Sequence, residues 1–337
     1  MSDVIDIQNF FKNELELLNQ KKLGNDYTFS SALELYNQNT EVIPKLLEPF
    51  FQKVGLASLV GTSDSGKSTF LRQLSLSIAL NVENFLGYPL NSTTNKVIYV
   101  STEDDPSAIS FSIRKQVDFL LKADNDIDIE LLNNLEFIFE TENLLKKLTN
   151  RLKKEPVDLI VIDAFTDVFT KELNANTQVR QFLNSYDKLA KKHNCLILFL
   201  HHIGKNTMRA TPSKDSIIGS QAFEAKMRVV VELRPNQHKQ NLKDLWVLKA
   251  NFLDSSHKTK SYTLEVNDSM VFSSTGERSG KGPSFKSNNP QMIDKVLELH
   301  AQGLSLRKIE EALKDTEFKT SKSAIGEMIK HHLASKK

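Results

Sequence analysis

The stretch GTSDSGKSTF, Gly61 to Phe70, constrains this chain more than any other. It follows the apolar run VGLASLV and leads into LRQLSLSIAL, where apolar residues recur at helical spacing. The pattern GxxxxGK[ST] between a buried strand and a helix lets successive backbone N–H groups, with the helix N-terminus behind them, surround a polyphosphate. Gly61 and Gly66 bracket a turn whose tight path a Cβ would resist. Thr62, Ser63, Asp64 and Ser65 form the wrap, Lys67 reaches the β- and γ-phosphates, Ser68 offers a hydroxyl to Mg²⁺, and Thr69 follows in the first helical turn. A Gly/Ser-rich surface turn could match the letters by accident, but the flanking strand and helix both stand where the motif requires them.

The region after this loop alternates strands and helices in the manner of a mostly parallel, doubly wound sheet. KVIYVSTEDD predicts a strand from Lys96 to Val100 with polar residues emerging at its carboxyl end, and EFIFE predicts another. VDLIVIDAF runs four apolar residues, Leu159 to Ile162, straight into Asp163. A buried strand ending in aspartate is common at αβ turns; paired with a phosphate loop, it supplies a carboxylate that can hold Mg²⁺ through water. A helix over about 177–192, with Val179, Phe182, Leu183, Tyr186 and Leu189 on its core stripe, delivers the chain to CLILFLHH, a buried strand terminating in His201 and His202.

Composition bounds the rest. With 337 residues, 39% hydrophobic and 26% charged, the chain can bury one large core plus one small extra domain. No apolar run approaches the ~18 residues of a membrane span, and MSDVIDIQNFFKNELELL lacks the basic start and cleavage site of a signal peptide. One cysteine, Cys195, excludes an internal disulfide and any multi-cysteine zinc site, and a cytoplasmic location fits. The net charge is only +2, but residues 276–337 hold twelve Lys or Arg against eight Asp or Glu, a net +4 that leaves −2 on the first 275. Four parts are expected: an N-terminal helical arm over 1–40, an α/β core over 41–275, a Gly/Ser/Pro-rich linker over 276–290, and a helical tail over 291–337.

The order of elements resembles the RecA-like ATPase core, and within it the RepA-type plasmid replicative helicases and related ATPases of mobile elements. The resemblance runs from about Ile43 to Phe272 and rests on GTSDSGKS, YVSTEDDPSAI, LIVIDAFTDVF, LFLHHIGK and VLKANF. It implies ATP and Mg²⁺ as cofactors, with Ser68 and Asp163 at the metal. It implies that Glu103 orients or deprotonates the attacking water, although acids before a helix also favour its N-terminus, a role that suits Asp104 and Asp105 better. His202 would sense the γ-phosphate, with His201 as the competing choice. The following loop, HHIGKNTMRATPSKDSIIGS, carries Lys205, Arg209 and Lys214, and in RecA-like rings such a loop tracks single-stranded DNA in the central channel. Here Met208 is the one large apolar residue among those cations, and no aromatic is present to stack on a base. The small-residue segment expected after it is supplied only partly by Gly219, Ser220 and Ala222. Arg228 in AKMRVVVELRP and Lys249 in WVLKANF fall where RepA-type rings point cations at a neighbour's γ-phosphate, and Arg234 is the alternative to Arg228.

The tail lies outside that resemblance. QMIDKVLELHA predicts a helix with Ile293, Val296, Leu297 and His300 on one side, stopped by Gly303. LSLRKIEEALK predicts a second, capped by Ser305, and SKSAIGEMIKHHL a third, capped by Ser321. Three short helices of this kind resemble a helix-turn-helix DNA-binding module with Lys322, Ser323 and Lys330 as candidate contacts; a protein-docking domain has the same pattern. The expectation is a RecA-like Mg²⁺-dependent ATPase that forms a homo-oligomeric ring and acts on DNA, single-stranded in its channel and duplex through its tail, with no membrane partner. A DNA-assembled regulatory ATPase that does not unwind, and a nucleotide-gated DNA-binding regulator, are the alternatives.

Overall fold

Runs such as LIVI and LILFL, apolar at every position, belong in a sheet covered on both faces. The computed structural model of the chain builds that sheet, and it describes residues 29–123, 127–204, 211–219, 221–236, 239, 241–280 and 290–335. Its nine strands are β1 (Gly55–Gly61), β2 (Val97–Ser101), β3 (Leu135–Ile138), β4 (Leu159–Asp163), β5 (Leu196–His202), β6 (Val229–Pro235), β7 (Leu242–Ala250), β8 (Tyr262–Val266) and β9 (Phe272–Ser274). They lie in the order β9-β8-β7-β6-β1-β5-β4-β2-β3. The six from β6 to β3 are parallel, and β7, β8 and β9 add an antiparallel flank.

Helices cover both faces. On one, α1 (Lys67–Ala79) and α2 (Pro106–Ala123) pack against Leu59, Tyr99, Val161, Leu198 and Val231. On the other, α3 (Leu144–Leu152), α4 (Asn176–His193) and α5 (Gln221–Lys226) pack against Val60, Val100, Ile162, Phe199 and Val230. Because side chains alternate across a strand, neighbours in sequence face opposite layers. That parity decides which polar residue at each strand end meets α1. The six parallel strands end together on one edge, with β1, the central strand of the nine, leading into the phosphate loop, the usual place for a ligand in an open α/β sheet.

The expected elements are present with small shifts in their bounds. The helix over 177–192 runs Asn176–His193, and SALELY forms the single-turn helix Ala32–Tyr36, closed by a reciprocal cap between Ser31 and Glu34. The first arm helix falls outside the described residues. The linker start expected at Gly276 needs correction: Arg278 stacks 3.9 Å over the Tyr262 ring and donates to the Ser261 and Lys260 carbonyls, so residues as far as Gly280 belong to the β8 edge.

In the tail, α6 (Pro290–Ala301), α7 (Leu306–Leu313) and α8 (Lys322–Ser335) close on a core of Met292, Val296, Ile309, Leu313, Ile325, Met328 and Ile329. Gly303 ends α6 at φ +81°. Met292 takes the buried place expected of His300, which is exposed. Ser305 sits at the N-cap of α7 but makes no side-chain cap bond. Glu310 accepts from the Lys322 N–H at 2.9 Å, so α8 is capped by α7 as well as by Ser321.

Candidate active site

Gly61 ends β1 where a Cβ would come 2.5 Å from the Leu233 carbonyl and 2.8 Å from Ser65 Oγ, so any side chain would displace backbone. Asp64 (φ +59°) and Gly66 (φ +93°) take left-handed conformations, and a Cβ on Gly66 would stand 3.1 Å from the Phe272 ring. The loop is thereby wound into a concave turn at the N-terminus of α1, the form that gathers backbone N–H groups around an anion. Ser63 and Asp64 are exposed at its tip, and Lys67 is buried beneath it. The Lys67 ammonium donates to the Thr62 carbonyl at 2.6 Å. Burial lowers its pKa, opposed by the carboxylates of Asp163, Glu103 and Asp64.

Three adjacent strand ends face that loop. His202 closes β5, Asp163 closes β4, and Glu103 follows the end of β2, so that Asp163 stands on the strand between the other two. Asp163 is almost completely buried, and its Oδ2 accepts from the Tyr99 hydroxyl at 2.6 Å. Its Oδ1 is buried and completes no hydrogen bond among the described residues. Desolvation raises its pKa, against the pull of the Tyr99 and Ser68 hydroxyls and the Arg72 guanidinium. Glu103 is more than half exposed, and its pKa is raised by desolvation and then by Asp163 and Asp167, with Lys67 opposing. His202 Nε2 lies 3.9 Å from Glu103 Oε1, and its pKa is lowered by desolvation and by Lys67.

The two histidines part company on parity. His202 shares the α1 face with Leu198 and Leu200, whereas His201 points into the opposite layer against Phe165 and Phe223. There His201 Nε2 meets the Ile218 carbonyl at 2.8 Å, and burial pulls its pKa down to about 4. It is a core residue. The acids after Glu103 also separate: Asp104 pairs with Arg72 of α1 at 2.8 Å, and Asp105 accepts from the Ser107 and Ala108 N–H groups to cap α2.

Arg228 and Lys249 are not brought to this edge. Arg228 precedes β6 and donates its N–H to Leu56 at the start of β1, more than ~15 Å along the strands from Gly61. Lys249 pairs across from Val230 and is held by Glu224 at 3.1 Å. Arg234 does lie at the loop's edge of the sheet, joined to Glu232 by an ion pair. Of the loop after His202, residues 205–210, with Lys205, Met208 and Arg209, and also Ser220 fall outside the described residues. Its stem is tied to β5: Ile218 N–H donates to the His202 carbonyl, Ile203 bridges Ile217, and Lys214 approaches Glu224 at 3.7 Å. Tyr99, Arg72 and Thr102, whose hydroxyl accepts from the Ala164 N–H at 3.0 Å, are site-building residues that motif reading missed. The one available signal was a tyrosine inside an otherwise aliphatic strand.

The donor set suits a hydrated divalent cation shared with a nucleotide. A hydroxyl and a carboxylate with a bare buried oxygen lie side by side, hard ligands of the kind Mg²⁺ takes alongside phosphate oxygens. Among the described residues no three His, Cys, Asp or Glu gather to hold a metal unaided. No helix among them is long and apolar enough to cross a membrane. The profile of a protein family described as AAA domain matches residues 28–208, more than half of the chain and a span that holds the loop and all three strand ends. No curated protein matches.

Proposed function

Because the chain belongs to the AAA-domain family of P-loop ATPases, we propose that it hydrolyses ATP at this edge of the sheet and spends the turnover on DNA, as a ring-forming replicative helicase of a plasmid or mobile element. The observation that carries the hydrolytic reading is the row His202, Asp163, Glu103 on consecutive strand ends, facing Lys67 across the wound loop.

In this reading the loop from Gly61 to Thr69 binds the phosphates through its N–H groups, and Lys67 exchanges the Thr62 carbonyl for the β- and γ-phosphate oxygens. Ser68 and Asp163 would hold Mg²⁺, which would neutralise charge on those oxygens. Glu103 accepts the proton of the attacking water; burial and then the Asp163 and Asp167 carboxylates raise its pKa, which makes it a stronger base than an ordinary glutamate. His202, held toward its neutral form by burial and then by Lys67, donates a hydrogen bond to the γ-phosphate, and its backbone carries the stem of the loop that follows.

The DNA part is supported by that stem and by the basic balance of the tail. A forked duplex with one labelled strand tests it. The helicase reading predicts ATP-dependent strand release by the wild-type chain and none by Lys67→Ala. Hydrolysis stimulated by DNA without strand release would instead support the non-unwinding regulatory ATPase.

A further inference from the structure

Tyr99 sits in the middle of β2 on the α1 face, wholly buried, with its ring 5.3 Å from that of Phe137. A phenylalanine would fill the same space, whereas a buried phenol must find an acceptor. The strand register makes that acceptor a distant one. Tyr99 stands opposite Val161 and Ser101 opposite Asp163, so Tyr99 and Asp163 are diagonal neighbours on one face, a span of about 7–8 Å that only a long side chain crosses. The hydroxyl meets Asp163 Oδ2 at 2.6 Å, and the Ser68 carbonyl, its other neighbour, is 3.5 Å away. Asp163 Oδ1 completes no hydrogen bond among the described residues, and the neighbouring Ser68 hydroxyl pulls on the carboxylate along with Tyr99.

A carboxylate with one oxygen tied is restrained in rotation, and it presents its other oxygen beside the Ser68 hydroxyl, the second group expected at the cation. We propose that Tyr99 is the positioning residue for the cation that accompanies ATP: by holding Oδ2 it dedicates Oδ1 to the Mg²⁺ shell. This rests on the reading of Asp163 as the metal residue. Outer partners of this kind typically change metal affinity by about 10–100-fold when lost. The low end applies here, because the carboxylate and the metal would be bridged by water.

The test is Mn²⁺ binding, followed by electron paramagnetic resonance of the free ion, to the full chain with saturating ADP. Tyr99→Phe keeps the ring and should weaken Mn²⁺ about tenfold while leaving metal-free ADP affinity and the thermal midpoint near wild type. Tyr99→Leu, a second way to remove the hydroxyl, should weaken Mn²⁺ at least as much. Asp163→Asn should weaken it as much or more, and adding Tyr99→Phe to Asp163→Asn should cost nothing further, since the phenol acts through the carboxylate. Wild-type Mn²⁺ affinity in Tyr99→Phe alongside a weakened Asp163→Asn would overturn the role of Tyr99 and leave Asp163 in place. Equal loss of Mn²⁺ and metal-free ADP binding in Tyr99→Phe would reduce Tyr99 to packing. Wild-type affinity in Asp163→Asn would remove the metal reading of Asp163, and Tyr99 with it.

Discussion

His202 Nε2 and Glu103 Oε1 stand 3.9 Å apart, reaching toward each other over the end of β4. The gap is too long for a hydrogen bond. It joins a group whose pKa is lowered to one whose pKa is raised, both shifted first by burial and both within the field of Lys67. The pair therefore sets a strengthened carboxylate base beside an imidazole held toward its neutral form, the combination that can take a proton from water and still offer a hydrogen bond to phosphate.

Lys67→Ala and Glu103→Gln should fail in different ways. The first removes the cation from the loop, so hydrolysis is abolished and nucleotide affinity falls. The second keeps shape and hydrogen bonding while removing the base, so ATP binds at near wild-type strength and turnover drops by on the order of 10² or more. Equilibrium binding of a fluorescent ATP analogue, set beside phosphate release, separates the two. Normal turnover in Glu103→Gln would take Glu103 out of the reaction.

The adjacent histidines should separate stability from catalysis. His201 is buried and neutral with its pKa down at about 4, so the fold gains from it above the unfolded value of ~6.5 and loses that gain as pH falls toward 4. Urea unfolding at pH 7.5 and 4.5 should show wild type losing on the order of 2 kcal/mol more than His201→Phe, which cannot titrate. His202→Ala should leave the unfolding midpoint within a degree or two and lower turnover tenfold or more. A pH response unaltered by His201→Phe would mean that the ring is charged in the fold.

What the letters disclosed and what they hid follow from distance along the chain. The phosphate loop and Asp163 were legible because each is a local pattern, an apolar strand broken by a glycine turn or by a carboxylate. His201 and His202 were not separable, since LILFLHH is apolar on both faces and carries no alternation to reveal parity. The bond from Tyr99 to Asp163 was invisible for a deeper reason. It depends on β2 lying beside β4 in a particular register, and the intervening chain contains a strand, two α-helices and a 3₁₀ helix. The Glu310 cap on α8 and the clamp of Arg278 on Tyr262 are likewise made by residues more than ten apart in sequence. Arg228 is expected from the resemblance to serve a neighbour's γ-phosphate, and the letters do not show that it stands where β6 begins, at the far end of the strand from its own loop.

The tail should detach functionally from the core. Its three helices close on a hydrophobic cluster of their own, and α8 presents Lys322 and Ser323 at its exposed start. Deleting 291–337 should leave basal hydrolysis nearly unchanged and weaken attachment to duplex DNA, most visibly at low salt. Electrophoretic mobility shifts at matched ionic strength read this directly. Equal duplex affinity with and without the tail would make these helices a protein-docking unit.

Completion of the site by a neighbouring subunit gives the last prediction. Charge that develops on the transferred phosphoryl oxygens calls for a second cation beyond Lys67, and an arginine supplied in trans is worth ~10³ or more in rate. Of the two cations expected to serve, Lys249 is already neutralised by Glu224, whereas Arg228 is exposed and makes no ion pair among the described residues. Arg228 also stands more than ~15 Å from its own loop, so any service it gives is to another copy of the chain. Arg228→Ala and Lys67→Ala subunits, each inactive alone, should regain hydrolysis when mixed, because some interfaces then pair an intact loop with an intact arginine. The recovered rate should peak near equal proportions of the two. Absence of recovery in mixtures that co-purify as one assembly would exclude Arg228, and the same mixing with Arg234→Ala would then test the cation at the loop's own edge of the sheet.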